Sequence, residues 1–287
     1  MSTASKRFWL VLLYATAATF SVPAFSAGDQ FFDSSGVRIR YSTEGRGEPV
    51  VLIHGAMSRL EDLGPLLKAL STDYQVIALD LRGHGKSDKP HDSNQYGAEM
   101  SADVVRLLDH LKIKKAHVGG SSLGAAVTAK VLETWPDRVL TATLIGLAGA
   151  RESDLQLYHS LADSLERGKG LGPLALALTP AGQPPPSAEQ IQKETDYVLA
   201  TNDLQAIIAF MRGAKGLVVD YGKMASTGVA AHAVIGELDP FKSGVDELAK
   251  AMSSLKVTVL ERTGHRCCAS PVLQQAVKGF LDSHRAR

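Results

Sequence analysis

Short runs of apolar, often β-branched residues alternate with stretches whose apolar positions recur at helical spacing, and the alternation begins near residue 27. The runs fall at 37–43, 49–54, 74–80, 116–119, 139–146, 230–235 and 256–261. Between them Val104, Leu107, Leu108 and Leu111 stand at i, i+3, i+4 and i+7, a stripe that turns toward a core. Strands separated by such helices predict an α/β fold with a mostly parallel sheet and crossover helices.

The rhythm breaks after Arg151 and resumes near residue 228. No convincing strand occurs there until Gly216-Leu217-Val218-Val219. Pro184-Pro185-Pro186 precede Ser187-x-x-Gln190, a helix-start signature. Leu204, Ile207, Ile208 and Met211 form another helical stripe, with Thr201 as its expected N-cap and Gly213 as its stop. The segment reads as inserted helices whose apolar side is either core or the underside of a lid.

Composition adds little but excludes much. A chain of 287 residues with 45% apolar and 21% charged content is long enough for one large folded domain, and neither disorder nor a collagen-like repeat fits. At the N-terminus Lys6-Arg7, an apolar stretch from Phe8 to Phe20 and small residues at Ala24 and Ser26 read as a secretory signal over 1–26, with cleavage near Ser26 or Ala27. The apolar run stops at Pro23, short of the roughly 20 residues a membrane span needs. A periplasmic or secreted protein is expected. Removing Lys6 and Arg7 takes the formal net charge from +1 to −1, so nothing draws the chain to nucleic acid or an anionic membrane.

The chemistry-bearing residues sit where strands end. Gly120-Ser121-Ser122-Leu123-Gly124 runs from a strand into an Ala-rich helix and carries the G-x-S-x-G pattern. A serine on so tight a turn stands above the sheet only if the residues flanking it lack bulk. Gly120 and Gly124 satisfy that for Ser122. For Ser121 the second position on would be Leu123. A serine needs a neighbouring base, and the base needs an acid to fix its tautomer. Asp239, beside Pro240 at the end of an apolar strand, is the expected acid, with Glu237 as its neighbour and rival. His265, in the Thr263-Gly264-His265 loop after the next strand, is the expected base. Upstream, Ile53-His54-Gly55-Ala56-Met57 ends a buried strand in a turn able to supply a backbone N–H to an oxyanion, and Leu123 supplies a second. Met57 and Ser121 are expected to touch substrate.

In order, Ile53-His54-Gly55, Asp80-Leu81-Arg82-Gly83-His84-Gly85-Lys86-Ser87-Asp88, Gly120 to Gly124, Gly236-Glu237-Leu238-Asp239 and Gly264-His265 resemble the α/β-hydrolase fold family. The resemblance implies a mostly parallel eight-stranded sheet flanked by helices. Residues 27–150 and 229–287 would form the core and 151–228 a helical cap. It also implies a Ser122-His265-Asp239 triad with Ala56 and Leu123 as oxyanion donors, a structural turn around His84, and no metal or organic cofactor. Epoxide hydrolases and haloalkane dehalogenases of this fold use an Asp nucleophile where this chain has Ser122. The His-Gly-x-Gly form of carbon–carbon hydrolases is broken by Met57, and Ser121 replaces the usual His before the serine.

A serine esterase acting on a small acyl substrate is therefore expected. The rivals are an aminopeptidase, for which Glu189, Glu194 and Asp196 could hold an amine, a carbon–carbon hydrolase, and a ligand-binding receptor with little turnover. Cys267-Cys268 are the only cysteines. Adjacent Cα atoms lie about 3.8 Å apart, below the roughly 4.4–6.8 Å of ordinary disulfides, so a bond between them would be strained and two buried thiols is the simpler reading.

Overall fold

A computed structural model describes residues 29–265 and 270–285. The expected signal segment and the Cys267-Cys268 pair lie outside the described residues. All seven apolar runs form strands, and an eighth precedes them. The strands are β1 (Gln30–Ser34), β2 (Val37–Glu44), β3 (Glu48–Ile53), β4 (Tyr74–Leu79), β5 (Ala116–Ser121), β6 (Val139–Ile145), β7 (Ala230–Gly236) and β8 (Lys256–Leu260). Their spatial order is β1-β2-β4-β3-β5-β6-β7-β8. The pairs β1–β2 and β2–β4 are antiparallel, and every other pair is parallel.

The central strands read as unbroken apolar runs because helices cover both faces of the sheet. In β3, Val51 and Ile53 join one buried cluster with α2 (Ala98–His110) and α3 (Leu123–Thr134). Val50 and Leu52 point the other way, to α1 (Gly64–Leu70) and α10 (Pro271–Asp282). The stripe read from the sequence lies on the inner side of α2, where Val104, Leu107 and Leu108 are fully buried.

Between β6 and β7 the chain forms α4 (Leu155–Glu166), α5 (Gly172–Ala177), α6 (Ala188–Thr201), α7 (Leu204–Gly213) and α8 (Tyr221–Ser226), and α9 (Lys242–Ala251) follows β7. The Ser187–Gln190 signature opens α6 as a reciprocal capping box. Thr201 does not cap α7. It is the last residue of α6, and Asp203 caps α7 by accepting the Ala206 N–H at 2.9 Å. A carboxylate two residues nearer the helix outcompetes the hydroxyl. Gly216 and Leu217 belong to a 3-10 turn, and Val218 makes only an isolated bridge to Ala150. Among the described residues no helix is long and apolar enough to cross a membrane.

Candidate active site

β5 delivers Ser122 at the mouth of the sheet, and α3 begins at the next residue. Ser122 sits at φ 53°, ψ −115°, a conformation that L side chains rarely adopt and that persists only where its surroundings impose it. Two of those constraints are visible. The Ser122 N–H donates to the Ile145 carbonyl at 2.8 Å. A Cβ on Gly120 would lie 2.3 Å from the Gly124 backbone, and one on Gly124 would lie 2.2 Å from the Ile53 carbonyl oxygen. Strand and helix touch through the two positions that the sequence leaves bare.

The hydroxyl so raised meets His265 and, through it, Asp239. Ser122 Oγ is 2.9 Å from His265 Nε2, and His265 Nδ1 is 2.9 Å from Asp239 Oδ2. A carboxylate only accepts, so Nδ1 carries a proton and Nε2 of the neutral ring is left to accept from the serine. Asp239 is buried, and its other oxygen takes the Phe241 N–H at 3.0 Å. Phe241 packs edge-on against the imidazole, centroids 5.2 Å apart. Glu237 is engaged elsewhere, accepting the Arg262 N–H at 2.8 Å. Gly146, at the end of β6 with φ +73°, runs directly under the imidazole.

On the other side of Ser122 the turn after β3 is held by His54. Its Nε2 accepts the Leu81 N–H at 3.0 Å, which leaves Nδ1–H to donate to the Gly55 carbonyl at 2.7 Å. Burial pushes the His54 pKa down, so the ring stays neutral and keeps this tautomer. Ala56 follows, then Met57 at φ 57°. Asn202, just past α6, donates to the Met57 carbonyl at 3.3 Å and to Val198 at 3.1 Å, tying the helical insertion to the turn. Leu123 is the first residue of α3, where a helix leaves its N–H groups without internal partners.

His84 stands behind the site. Its Nδ1–H donates to the Arg82 carbonyl at 3.0 Å, and burial, followed by the neighbouring His54, lowers its pKa to about 3. Arg82 is fixed by two bonds to buried Asp103, of 2.7 and 2.6 Å. None of the side chains of His84, Arg82 and Asp103 lines the cavity around Ser122 or reaches Ser122 itself.

Ser122, Leu123, Ala56, Met57, Ser121 and His265 line one cavity of about 870 Å³, roofed by α4, α5 and α6. Its wall is largely aliphatic, with Leu147, Leu157, Leu161, Leu171, Leu174 and Val198. Of the carboxylates considered for holding an amine, Glu194 lines the cavity, whereas Glu189 and Asp196 are exposed. Gly146 and Asn202 were not singled out by sequence, and His54 was read only as part of its turn, with no role of its own. Only His54 carries a sequence signal, a histidine-glycine pair closing an apolar strand.

The family model described as alpha/beta hydrolase fold matches residues 48–168, from β3 through the end of α4. A solved structure of a thermophilic esterase from Thermogutta terrifontis superposes with a TM-score of 0.75 at 19% identity, covering 91% of this chain and all of that one. This is an α/β-hydrolase-fold protein. Among curated proteins, the hydrolase-fold chain is 38% identical over 140 residues to a dihydrolipoyllysine-residue acetyltransferase component of the acetoin cleaving system from Cupriavidus necator, covering 46% of this chain and 37% of that protein. It is 34% identical over 100 residues to an esterase of Escherichia coli, covering 35% and 39% respectively. The α/β-hydrolase-fold chain thus spans well under half the length of each of these two relatives.

Proposed function

We propose that this protein is a serine hydrolase that cleaves a carboxylic ester by acyl transfer to Ser122 and then to water. The observation that carries the reading is the unbroken Ser122–His265–Asp239 hydrogen-bond chain on a strained elbow facing a large apolar cavity. His265 Nε2 takes the serine proton as Oγ attacks the carbonyl carbon. The Ala56 and Leu123 amides receive the oxyanion, a contribution of about 2.7–4 kcal/mol per donor in comparable sites. Collapse expels the alcohol, which leaves with the proton from Nε2. Water then repeats the sequence against the acyl-enzyme, with His265 again as base, and releases the acid. Asp239 keeps Nδ1 protonated throughout and stabilises the transient imidazolium.

Similarity to esterases of Thermogutta terrifontis and Escherichia coli supports an ester over an amide, and an ester's leaving group needs little help beyond these residues. Met57 and Ser121 flank the reacting carbonyl in this reading. The reaction takes place outside the cytoplasm after removal of 1–26. A panel of p-nitrophenyl esters and aminoacyl arylamides, run beside Ser122→Ala, tests the assignment. Ester turnover lost in the variant is expected, while turnover of the amides alone would overturn it. Sequencing the N-terminus of the exported protein checks the leader.

A further inference from the structure

A polar group away from Ser122 also faces the chamber. Tyr158 lies on α4, its ring edge-on to Phe210 with centroids 5.7 Å apart and planes at 75°. Phe210 is itself wedged against His84 and Tyr96, so the phenol is held in place. Leu157, Leu161, Leu147 and Met211 line the same cavity.

Tyr158 is partly buried among these carbons, where a phenol ordinarily finds a hydrogen-bond partner. Tyr74 does, donating to Asp282 at 2.8 Å, and so does Tyr96, donating to the Pro90 carbonyl at 2.6 Å. The Tyr158 hydroxyl makes no hydrogen bond to another described residue and is accessible from the cavity. It also differs from the Tyr221 hydroxyl, which is sealed among protein atoms, because Tyr158 borders open cavity. Burial, and then the nearby Asp154 carboxylate, raise its pKa above the ordinary tyrosine value, so it remains a donor at any working pH. Asp154, also on the cavity wall, is paired with Arg151 at 3.0 Å, and the aliphatic side chains around the phenol suit a neutral partner better than an ion.

We propose that Tyr158 is a specificity-determining residue: it donates to a neutral oxygen (ketone, ether or hydroxyl) carried on the apolar acyl chain of the substrate, and so selects oxygenated acyl esters over plain alkanoyl ones. The inference rests on the acyl-transfer reading above. A neutral chain oxygen satisfies the phenol while the surrounding leucines take the methylenes, whereas a plain chain strips the hydroxyl of water and returns nothing.

The test compares p-nitrophenyl esters of one chain length, unsubstituted or with an ether oxygen stepped along the acyl chain, against the wild type and Tyr158→Phe. At one position the wild type favours the oxygenated ester in kcat/KM by about three- to tenfold, as one neutral hydrogen bond allows. In Tyr158→Phe that ratio falls to near one, whatever happens to absolute rates. A ratio unchanged by the substitution, or no position of preference, overturns the proposal. Calorimetric titration of Ser122→Ala and Ser122→Ala/Tyr158→Phe with the matching methyl esters needs no turnover. If no ester is hydrolysed but the affinity ratio still depends on Tyr158, the esterase reading fails and the tyrosine assignment stands. Equal affinities in both variants remove the tyrosine assignment alone.

Discussion

Gly146→Ala perturbs the site without altering any group that takes part in proton transfer. Gly146 holds φ +73°, a region that costs an L side chain about 1–2 kcal/mol. Its added Cβ would stand 3.2 Å from His265 Cε1, 3.4 Å from Nδ1 and 3.7 Å from Asp239 Oδ2. Carbon atoms pack best at about 3.5–4.0 Å, so the imidazole must retreat by a few tenths of an ångström. Two 2.9 Å hydrogen bonds and the Phe241 ring oppose that retreat. Since misplacement by about 1 Å can cost about 10²-fold in rate, a shift of this size corresponds to about three- to tenfold. The expected outcome is kcat on a p-nitrophenyl ester lowered by that factor with KM little changed, and urea-derived stability lowered by about 1–2 kcal/mol. Wild-type kcat in a variant that has lost the expected stability would show that the imidazole does not bear on Gly146.

Asp239→Asn should remain folded yet lose about 10⁴-fold in kcat, because an amide no longer enforces a proton on Nδ1; a loss below tenfold would remove Asp239 from its role. Asp103→Ala leaves the buried Arg82 guanidinium without its two-bond partner and should cost about 3–5 kcal/mol in denaturant titration, and a loss under 1 kcal/mol would contradict this. His84, lowered to about 3, binds no proton in the folded chain between about 3 and 6.5, whereas the unfolded chain does. Its stabilisation is complete above about 6.5 and declines as pH falls toward 3, by about 1.4 kcal/mol per unit. Urea unfolding of His84→Asn between pH 6 and 4 should show a correspondingly shallower slope, and an unchanged slope refutes it.

The parallel core was legible because each buried strand needs apolar residues on both faces, as Val50 to Ile53 do. β1 was not, since it is an edge strand whose one run of bulk, Phe31-Phe32, is flanked by Gln30 and Asp33; a hairpin at Ser35-Gly36, both at positive φ, makes it. The Ser122, Asp239 and His265 positions could be read because each follows a strand in a glycine- or proline-marked loop. Tyr158 and Asn202 could not. Tyr158 reaches the cavity through the packing of α4 against α7, and Asn202 through its bonds to Met57 and Val198, and nothing local to either residue encodes that arrangement. Thr201 misled for a related reason: helical spacing fixes where a stripe begins, but the cap depends on which of several adjacent polar side chains reaches the free N–H groups.

The contact between Ser122 and His265 spans 143 residues of chain. Helices α2 and α3 can form early from local contacts, whereas that contact requires β6, β7 and β8 to align across the whole helical insertion, a slow closure of a long loop. On the proposed esterase reading, recovery of turnover after dilution from denaturant should therefore lag the return of helical circular dichroism, and turnover serves as a clock for the last stage of assembly.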